Sequence, residues 1–283
     1  MLTTLKPLLT TYAYNILGTL QDAEDVVQDT FLKYHLLNQD AINNEKAYLI
    51  RMVINLSINL KKKLQKNTAG YPGEWLPEPV STDTPDEGIQ KKEILSYSLM
   101  VLLEKLNPQQ RGVFILKEAF DYEHEEIAAV LGISAEYSRQ LLNRAKKKLQ
   151  QVEFKTNPIK NAHNLDKYVR VITSGDIAEL ETMLTEEISV ISDGGGKAVA
   201  FRKPVLGRKQ VLALLSGIHR KFYADARIEK TEINHQPALL YYDKSDNEKI
   251  VNCQMLIFDG DLLKKVYFMR NPDKLKKLQK NSG

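Results

Sequence analysis

The chain has 283 residues, enough for two or three compact units that each bury a core. Its 43% hydrophobic and 27% charged residues are the balance of a globular domain, and no apolar run nears the roughly 20 residues that span a bilayer, which excludes a helical membrane protein. One cysteine, Cys253, excludes a disulfide framework and suits the cytoplasm, and no apolar leader suggests secretion. The formal net charge is only +4, but three basic clusters stand out, at Arg51–Lys66, Arg139–Lys148 and Lys264–Lys280; such clusters are either solvated faces or phosphate-binding surfaces.

Residues 22–34 read as a helix capped by Asp22, with Ala23, Val26, Val27, Thr30, Phe31 and Tyr34 on a core face. Asp25, Gln28, Asp29 and Leu32 form the opposite stripe. It is either solvated surface or a dock for a protein that offers basic groups and a small apolar pocket. Residues 46–64 read as a second helix, apolar on two sides through Leu49, Val53, Leu56, Leu60 and Leu64 and through Ile50, Ile54 and Ile58. Arg51, Asn55, Asn59 and Lys62 make a polar edge between them, followed by Lys61 and Lys63, and such an edge can meet bases and phosphates.

Residues 66–88 are rich in proline, glycine, serine and threonine and read as a linker. Inside it Trp75, Leu76, Pro77, Glu78 and Pro79 contain the only tryptophan of the chain, which needs burial. It either tucks under neighbouring helices or docks on another part of the chain. A helix is expected from Ile89 to Leu106, ended by Asn107-Pro108, and another through Val113–Lys117. Residues 125–131 then read as a short helix, Gly132 as a turn, Ile133 as a plug and Ser134 as the cap of a helix over 135–149. Small Ala128 and turn-making Gly132 are what a helix-turn-helix needs. Ser138, Leu141, Leu142, Ala145 and Leu149 would face inward. Tyr137, Arg139, Gln140, Asn143 and Arg144 would face a major groove, with Lys146, Lys147 and Lys148 on phosphate. The alternative is a helical hairpin with a wet basic face.

From 160 onward the pattern changes. Helices are expected over 165–173 and 176–184, a strand over 187–192, a glycine turn at Asp193-Gly194-Gly195-Gly196-Lys197, and another strand through Phe201. A helix over 207–223 precedes strands near 227–233, 238–242, 249–258 and 262–270, with Asp259-Gly260 as a hairpin turn. Helices followed by a curved antiparallel sheet suggest an α+β cone. The Gly194–Lys197 run lacks the spacing of a phosphate loop, and Ala198 stands where a magnesium-binding Ser or Thr belongs. No His/Cys cluster has metal-ligand spacing, so neither a cofactor nor catalysis is expected.

With these pieces in order, residues 1–152 resemble an RNA polymerase sigma factor of the extracytoplasmic-function (ECF) group. The matching text is Tyr12-Ala13-Tyr14 through Gly18, Asp22 through Leu32, Ala47-Tyr48-Leu49 through Leu56, Leu106-Asn107-Pro108 through Phe114, and the helix-turn-helix. The C-terminal order is similar to the SnoaL-like branch of the nuclear-transport-factor-2-like fold. Trp75–Pro79, Asp193–Lys197 and Asn271-Pro272-Asp273-Lys274-Leu275 look like the motifs of ECF factors with a fused SnoaL-like domain. The resemblance implies a multidomain chain: sigma region 2 at 1–67, a linker at 68–88, a region 4 helix-turn-helix at 89–152, and an α+β SnoaL-like cone at 160–283.

It also implies partners and roles. Asp25, Gln28, Asp29 and Leu32 would dock on the clamp helices of the polymerase β′ subunit, and region 4 would meet the β flap. Asn55, Asn59, Lys61, Lys62 and Lys63 would meet the −10 element, helped by the loop 35–44, and Tyr137–Arg144 would read the −35 element. Trp75–Pro79, Asp193–Lys197 and Asn271–Leu275 would be candidate neighbours through which the extension controls activity in cis. Two other functions fit parts of the chain: a one-component DNA-binding regulator whose C-terminal pocket senses a small-molecule ligand, and a SnoaL-like enzyme with a vestigial sigma part.

Overall fold

The computed structural model describes residues 2–38, 42–67, 70–83, 88–149 and 158–279. The chain divides into two compact units, one of residues 1–70 and 85–154, the other of 71–84 and 155–283. The segment expected to be a linker with the Trp75 motif inside it therefore divides, and most of it belongs to the C-terminal unit.

The first unit is all helical. Helices α1 (Leu2–Leu17), α2 (Leu20–His35) and α3 (Glu45–Asn67) pack on one another, and every residue of α1 from Leu9 to Leu17 is buried. Gly18 ends α1 at φ +86°, and α2 begins two residues before the expected cap, so that Asp22 lies in its first turn and accepts a hydrogen bond from Thr19. The helix expected over 89–106 is much shorter, because α4 covers only Tyr97–Leu103. Ahead of it, Asn15 of α1 donates to the Glu93 carbonyl at 2.8 Å and accepts from Leu95 N–H at 3.2 Å, and Thr11 accepts from Gln90 N–H. The Glu93 carbonyl and the Leu95 amide are groups that a continuous helix would have paired internally, and these contacts hold 90–95 on α1 with only a 3-10 turn over Lys91–Glu93. Helix α5 (Pro108–Phe114) starts in a capping box of Asn107 and Gln110 and runs into a π turn over Ile115–Ala119.

Helices α6 (His124–Leu131) and α7 (Ala135–Leu149) form the helix-turn-helix. Gly132 takes φ +66°, a left-handed conformation in which a Cβ is strained, and the next amide bonds back to the Ala128 carbonyl. Helix α3 packs on α5 and α6 as well as on α1 and α2.

The second unit is α+β. Helices α8 (Pro158–Ser174), α9 (Ile177–Thr182) and α10 (Arg208–Ile218), the last followed by a π turn over His219–Tyr223, lie with one sheet. Its strands are β1 (Leu184–Asp193), β2 (Val205–Leu206), β3 (Ile228–Ile233), β4 (Gln236–Tyr242), β5 (Ile250–Asp259) and β6 (Leu262–Met269), in the order β2-β1-β6-β5-β4-β3. All neighbours are antiparallel except β1 and β6, so the sheet is mixed where a purely antiparallel one was expected. Register shifts in the β1–β6, β4–β5 and β5–β6 ladders bend it. Its core joins Leu165, Tyr168 and Val171 of α8 and Val211 and Leu215 of α10 to Val190, Leu239, Leu256 and Phe268 of the strands. The strand expected through Phe201 is absent. Residues 195 and 196 have positive φ, Ala198 N–H turns back to the Gly194 carbonyl, and pairing resumes only at β2. A last helix, α11 (Pro272–Gln279), packs on β5.

Candidate functional site

Helix α7 buries Ser138, Leu141, Leu142, Ala145 and Leu149 and exposes Tyr137, Arg139, Gln140, Asn143, Arg144, Lys146 and Lys147. One strip of α7 thus carries side chains able to pair with base edges and phosphates. Ser134 caps the helix by accepting from Tyr137 N–H, and a 2.9 Å bond between His124 and Ser138 ties α6 to α7. Arg139 and Lys146 hold exposed acids, Glu125 and Glu118, each at 2.8 Å. Exposed pairs of this kind are worth little and yield readily to a phosphate.

The polar edge of α3 divides into two parts. Asn59, Lys62 and Lys63 are exposed, as a nucleic-acid edge requires. Asn55 is half-buried and donates to the Val130 carbonyl near the end of α6 at 2.7 Å. Lys61 departs from the expectation altogether. It is 3% exposed and donates to the Leu17 carbonyl at 2.7 Å and to both oxygens of Glu104 at 2.9 Å. Being i+3 from Ile58, it falls on the inward face with Ile50 and Ile54, so in this conformation it is not on the DNA edge. Arg111, fully buried, completes the cluster by pairing with Glu104 and donating twice to the Asn15 carbonyl. Burial alone would raise the Glu104 carboxyl, but Arg111 and Lys61 outweigh it and hold the pKa below the usual range.

On α2, Asp25, Gln28, Asp29 and Leu32 are all exposed on one face, Leu32 by 58%. A leucine so exposed beside two carboxylates has the form of a protein-docking stripe.

The third cluster lies wholly in the C-terminal unit, where residues 71–83 form a strap. Leu76, Pro77, Glu78, Pro79, Val80 and Ser81 are buried, and Trp75 is half-buried. Asp193, with no exposure, accepts from Tyr71 hydroxyl at 2.5 Å, Leu76 N–H at 3.0 Å, Gly195 N–H at 2.9 Å and Lys274 ammonium at 2.7 Å. Lys274 also donates to the Leu76 carbonyl at 2.5 Å and lies 4.1 Å from the Trp75 ring centre. Its charge is thereby met by a carboxylate, a carbonyl and an indole face. Burial, and then the bond to Asp193, raise the Tyr71 hydroxyl far above the phenol range. Asn271 donates to Tyr71 at 3.2 Å and accepts from Asp273 N–H, while Leu275 is buried; Lys197 pairs with Asp273.

The three glycines follow from crowding. A Cβ would lie 2.2 Å from the Ala198 carbonyl at Gly194, 2.3 Å from Asn271 at Gly195 and 2.8 Å from Pro72 at Gly196. Farther along, the strap follows the edge strand β3. Val80 N–H donates to the Asn234 side chain, Asn234 N–H to the Val80 carbonyl, and Thr82 N–H to the Glu232 carbonyl. Asp83 accepts from Thr231 and Glu232 N–H. This occupies part of an edge that would otherwise offer unpaired backbone groups.

Comparison with known proteins gives these clusters a common frame. Residues 1–67 match the family model for sigma-70 region 2, and residues 96–149 match that for sigma-70 region 4. The chain is 30% identical over 221 residues to the ECF RNA polymerase sigma factor SigJ of Mycobacterium tuberculosis, covering 76% of this chain and 70% of that protein. The chain belongs to the ECF sigma factor family. It is also 23% identical over 262 residues to the probable ECF sigma factor SigI of the same species, across 81% of this chain and 89% of that one. The crystal structure of the M. tuberculosis extracytoplasmic-function sigma factor SigJ superposes with a TM-score of 0.79 at 26% identity, covering 97% of this chain and 96% of that one. The likeness thus extends over the α+β extension as well as the helical unit.

For this sigma factor, sequence reasoning missed the buried cluster of Asn15, Lys61, Glu104 and Arg111. The i+3 step from Ile58 to Lys61 was the available signal for one member; nothing local marks the others. It also missed Tyr71 and Asn234 as anchors of the strap. Positions 39–41 of the loop expected near the −10 element lie outside the described residues, as does Lys280 of the third basic cluster. Among the described residues, no helix is long and apolar enough to cross a membrane.

Proposed function

We propose that this ECF sigma factor, which directs transcription initiation, is controlled in cis by its C-terminal α+β unit acting through the strap 71–83. The observation that carries the reading is the fixation of the strap by Asp193 and Lys274. Along the chain the strap lies between the region 2 and region 4 matches, so whatever holds it limits how far those two segments can separate. The first unit supports the same reading, because Asn55, on the α3 edge expected at the −10 element, is occupied by the Val130 carbonyl of α6. A conformation with this amide occupied is a resting one, and loosening the strap shifts the population toward a promoter-competent form.

In that form Asp25, Gln28, Asp29 and Leu32 dock on the β′ clamp helices and region 4 meets the β flap. Asn55, Asn59, Lys62 and Lys63 meet the −10 element, and Tyr137, Arg139, Gln140, Asn143 and Arg144 read the −35 element. The extension acts by contact, without catalysis, in the cytoplasm. The test is run-off transcription by core polymerase with the full chain on genomic fragments, followed by the same assay with Asp193→Asn. Equal initiation by the two chains at every promoter rejects control through the strap; failure of the native chain to direct any initiation rejects the promoter assignments with it.

A further inference from the structure

Between Asp193 and Asp225 the chain carries seven Lys or Arg residues and neither Asp nor Glu. Two of the seven hold acids from outside the segment, Lys197 with Asp273 and Arg208 with Glu186. The other five, Arg202, Lys203, Lys209, Arg220 and Lys221, are exposed, and among the described residues none of them is in an ion pair. Exposed cations elsewhere in the same unit are matched: Arg170, Arg227, Lys230, Lys244 and Lys264 each hold an acid at 2.6–3.2 Å. The unit thus concentrates uncompensated positive charge on one segment.

Three of the five stand on one side of α10 and its π turn. Lys209 and Arg220 border the same hollow with Ala213 and Gly217 between them, and Lys221 borders the adjoining hollow across Ala213 and Gly217. Eleven positions along the chain part Lys209 from Arg220, about 16 Å at a helical rise of about 1.5 Å per residue. One small anion cannot meet both, whereas each strand of duplex DNA sets a phosphate about every 3.4 Å along the duplex axis. Between the two cations the helix surface is low: Ala213 is exposed, and a Cβ on Gly217 would meet nothing within 4 Å, so a polymer backbone can approach closely. The charges do not serve the helix itself. Arg208 and Lys209 fall in its first turn, which holds no acid, and cations there oppose the macrodipole. The acids beside this face are engaged, Asp176 in capping α9 and Asp225 with Lys244. We infer that this face of α10 binds the phosphate backbone of duplex DNA, with Arg202 and Lys203 extending the positive charge ahead of the helix. The contact goes beyond control by the strap, none of whose residues it uses, and adds a hold that carries no sequence information to the promoter readers of the first unit.

The test is fluorescence anisotropy of a labelled random-sequence duplex titrated with the full chain, without core polymerase, at several salt concentrations. Random sequence and the absence of core make the result independent of the promoter assignments. Log affinity falls with log salt by about 0.9 for each phosphate neutralised. The triple variant Lys209→Gln, Arg220→Gln, Lys221→Gln, checked for an unchanged circular dichroism spectrum, lowers that slope by about 2.7. Between about 50 and 200 mM salt the native chain then loses about 40-fold more affinity than the variant. The control Lys230→Gln, Lys244→Gln, Lys264→Gln removes as many cations from acid-paired positions and moves the slope by less than about 0.9, less than one phosphate contact. No binding by the native chain at about 50 mM salt, a slope change below about 0.9 in the first variant, or an equal change in the control overturns the inference. So does a first variant that keeps its slope on DNA and loses affinity for core polymerase, since the face then serves a protein.

Discussion

Replacing Glu104 by Gln removes one negative charge from between two buried cations. Lys61 and Arg111 have side chains 4% and 0% exposed, and each keeps its charge and its bonds to the Leu17 and Asn15 carbonyls. Breaking a buried ion pair on one side costs about 3–5 kcal/mol, because the remaining charge is left uncompensated. The Glu104 side chain is 21% exposed and Gln still accepts a hydrogen bond, so the lower end, about 3 kcal/mol, is expected. With a urea slope of about 2 kcal/mol/M, the helical transition followed by circular dichroism shifts down by about 1.5 M. Trp75 belongs to the C-terminal unit, so its fluorescence does not substitute for this probe.

The pH dependence has a definite sign. The folded pKa of Glu104 lies below its ordinary value of 4.5, so its stabilisation is present above that value and is lost as pH falls through the folded pKa. The gap between native and variant chains is therefore full at pH 7 and narrows below about pH 4.5. A midpoint shift under about 0.3 M, well short of what an uncompensated buried charge costs, refutes the cluster as a stabilising element.

Other changes test the remaining sites. Asp193→Asn leaves the Lys274 ammonium without its carboxylate, which lowers stability of the C-terminal unit by about 3 kcal/mol and shifts the emission of Trp75; unchanged fluorescence and denaturation contradict the geometry. Gly195→Ala combines φ +61° with a Cβ 2.3 Å from Asn271 and destabilises by about 1–3 kcal/mol, measurable as a lowered melting temperature of the full chain. In the holoenzyme, Arg139→Ala or Gln140→Ala weakens promoter binding by about 1–3 kcal/mol, the worth of one side chain paired to a base edge, and relaxes preference at one −35 position. Lys147→Ala weakens binding similarly on all sequences and reduces its salt dependence. A competition assay on single-base promoter variants separates the two behaviours.

The long amphipathic helices were legible because one face repeats at 3.6 residues: α2, α3 and α7 show their buried and exposed sides in sequence. The helix-turn-helix was legible for a similar reason, with Gly132 needing a positive φ between two short apolar patterns. What sequence could not give was decided by distant partners. Residues 89–96 carry a helical pattern, yet Asn15 of α1 takes backbone groups a helix needs. Lys61 sits in a run of three lysines, and only its angular position separates it from Lys62 and Lys63. The strap motif was visible as proline-rich chain around a tryptophan, whereas its neighbours Asp193 and Lys274, 117 and 198 residues from Leu76, were expected only through the family resemblance, because no local pattern encodes such a union. The parallel pairing of β1 with β6 is likewise a property of the assembled sheet and not of either strand.

The claim that the strap governs promoter use is tested most directly with Lys274→Met, which removes the ammonium joining Leu76 to Asp193 and keeps an apolar stem for the Trp75 ring. Single-round run-off transcription is measured at a promoter the native factor recognises, with core binding measured in parallel. Control through the strap predicts a change in promoter-directed transcript of at least about fivefold, the low end of coupling between sites, at unchanged affinity for core. Identical transcript yields from a folded variant whose strap has been released would contradict it.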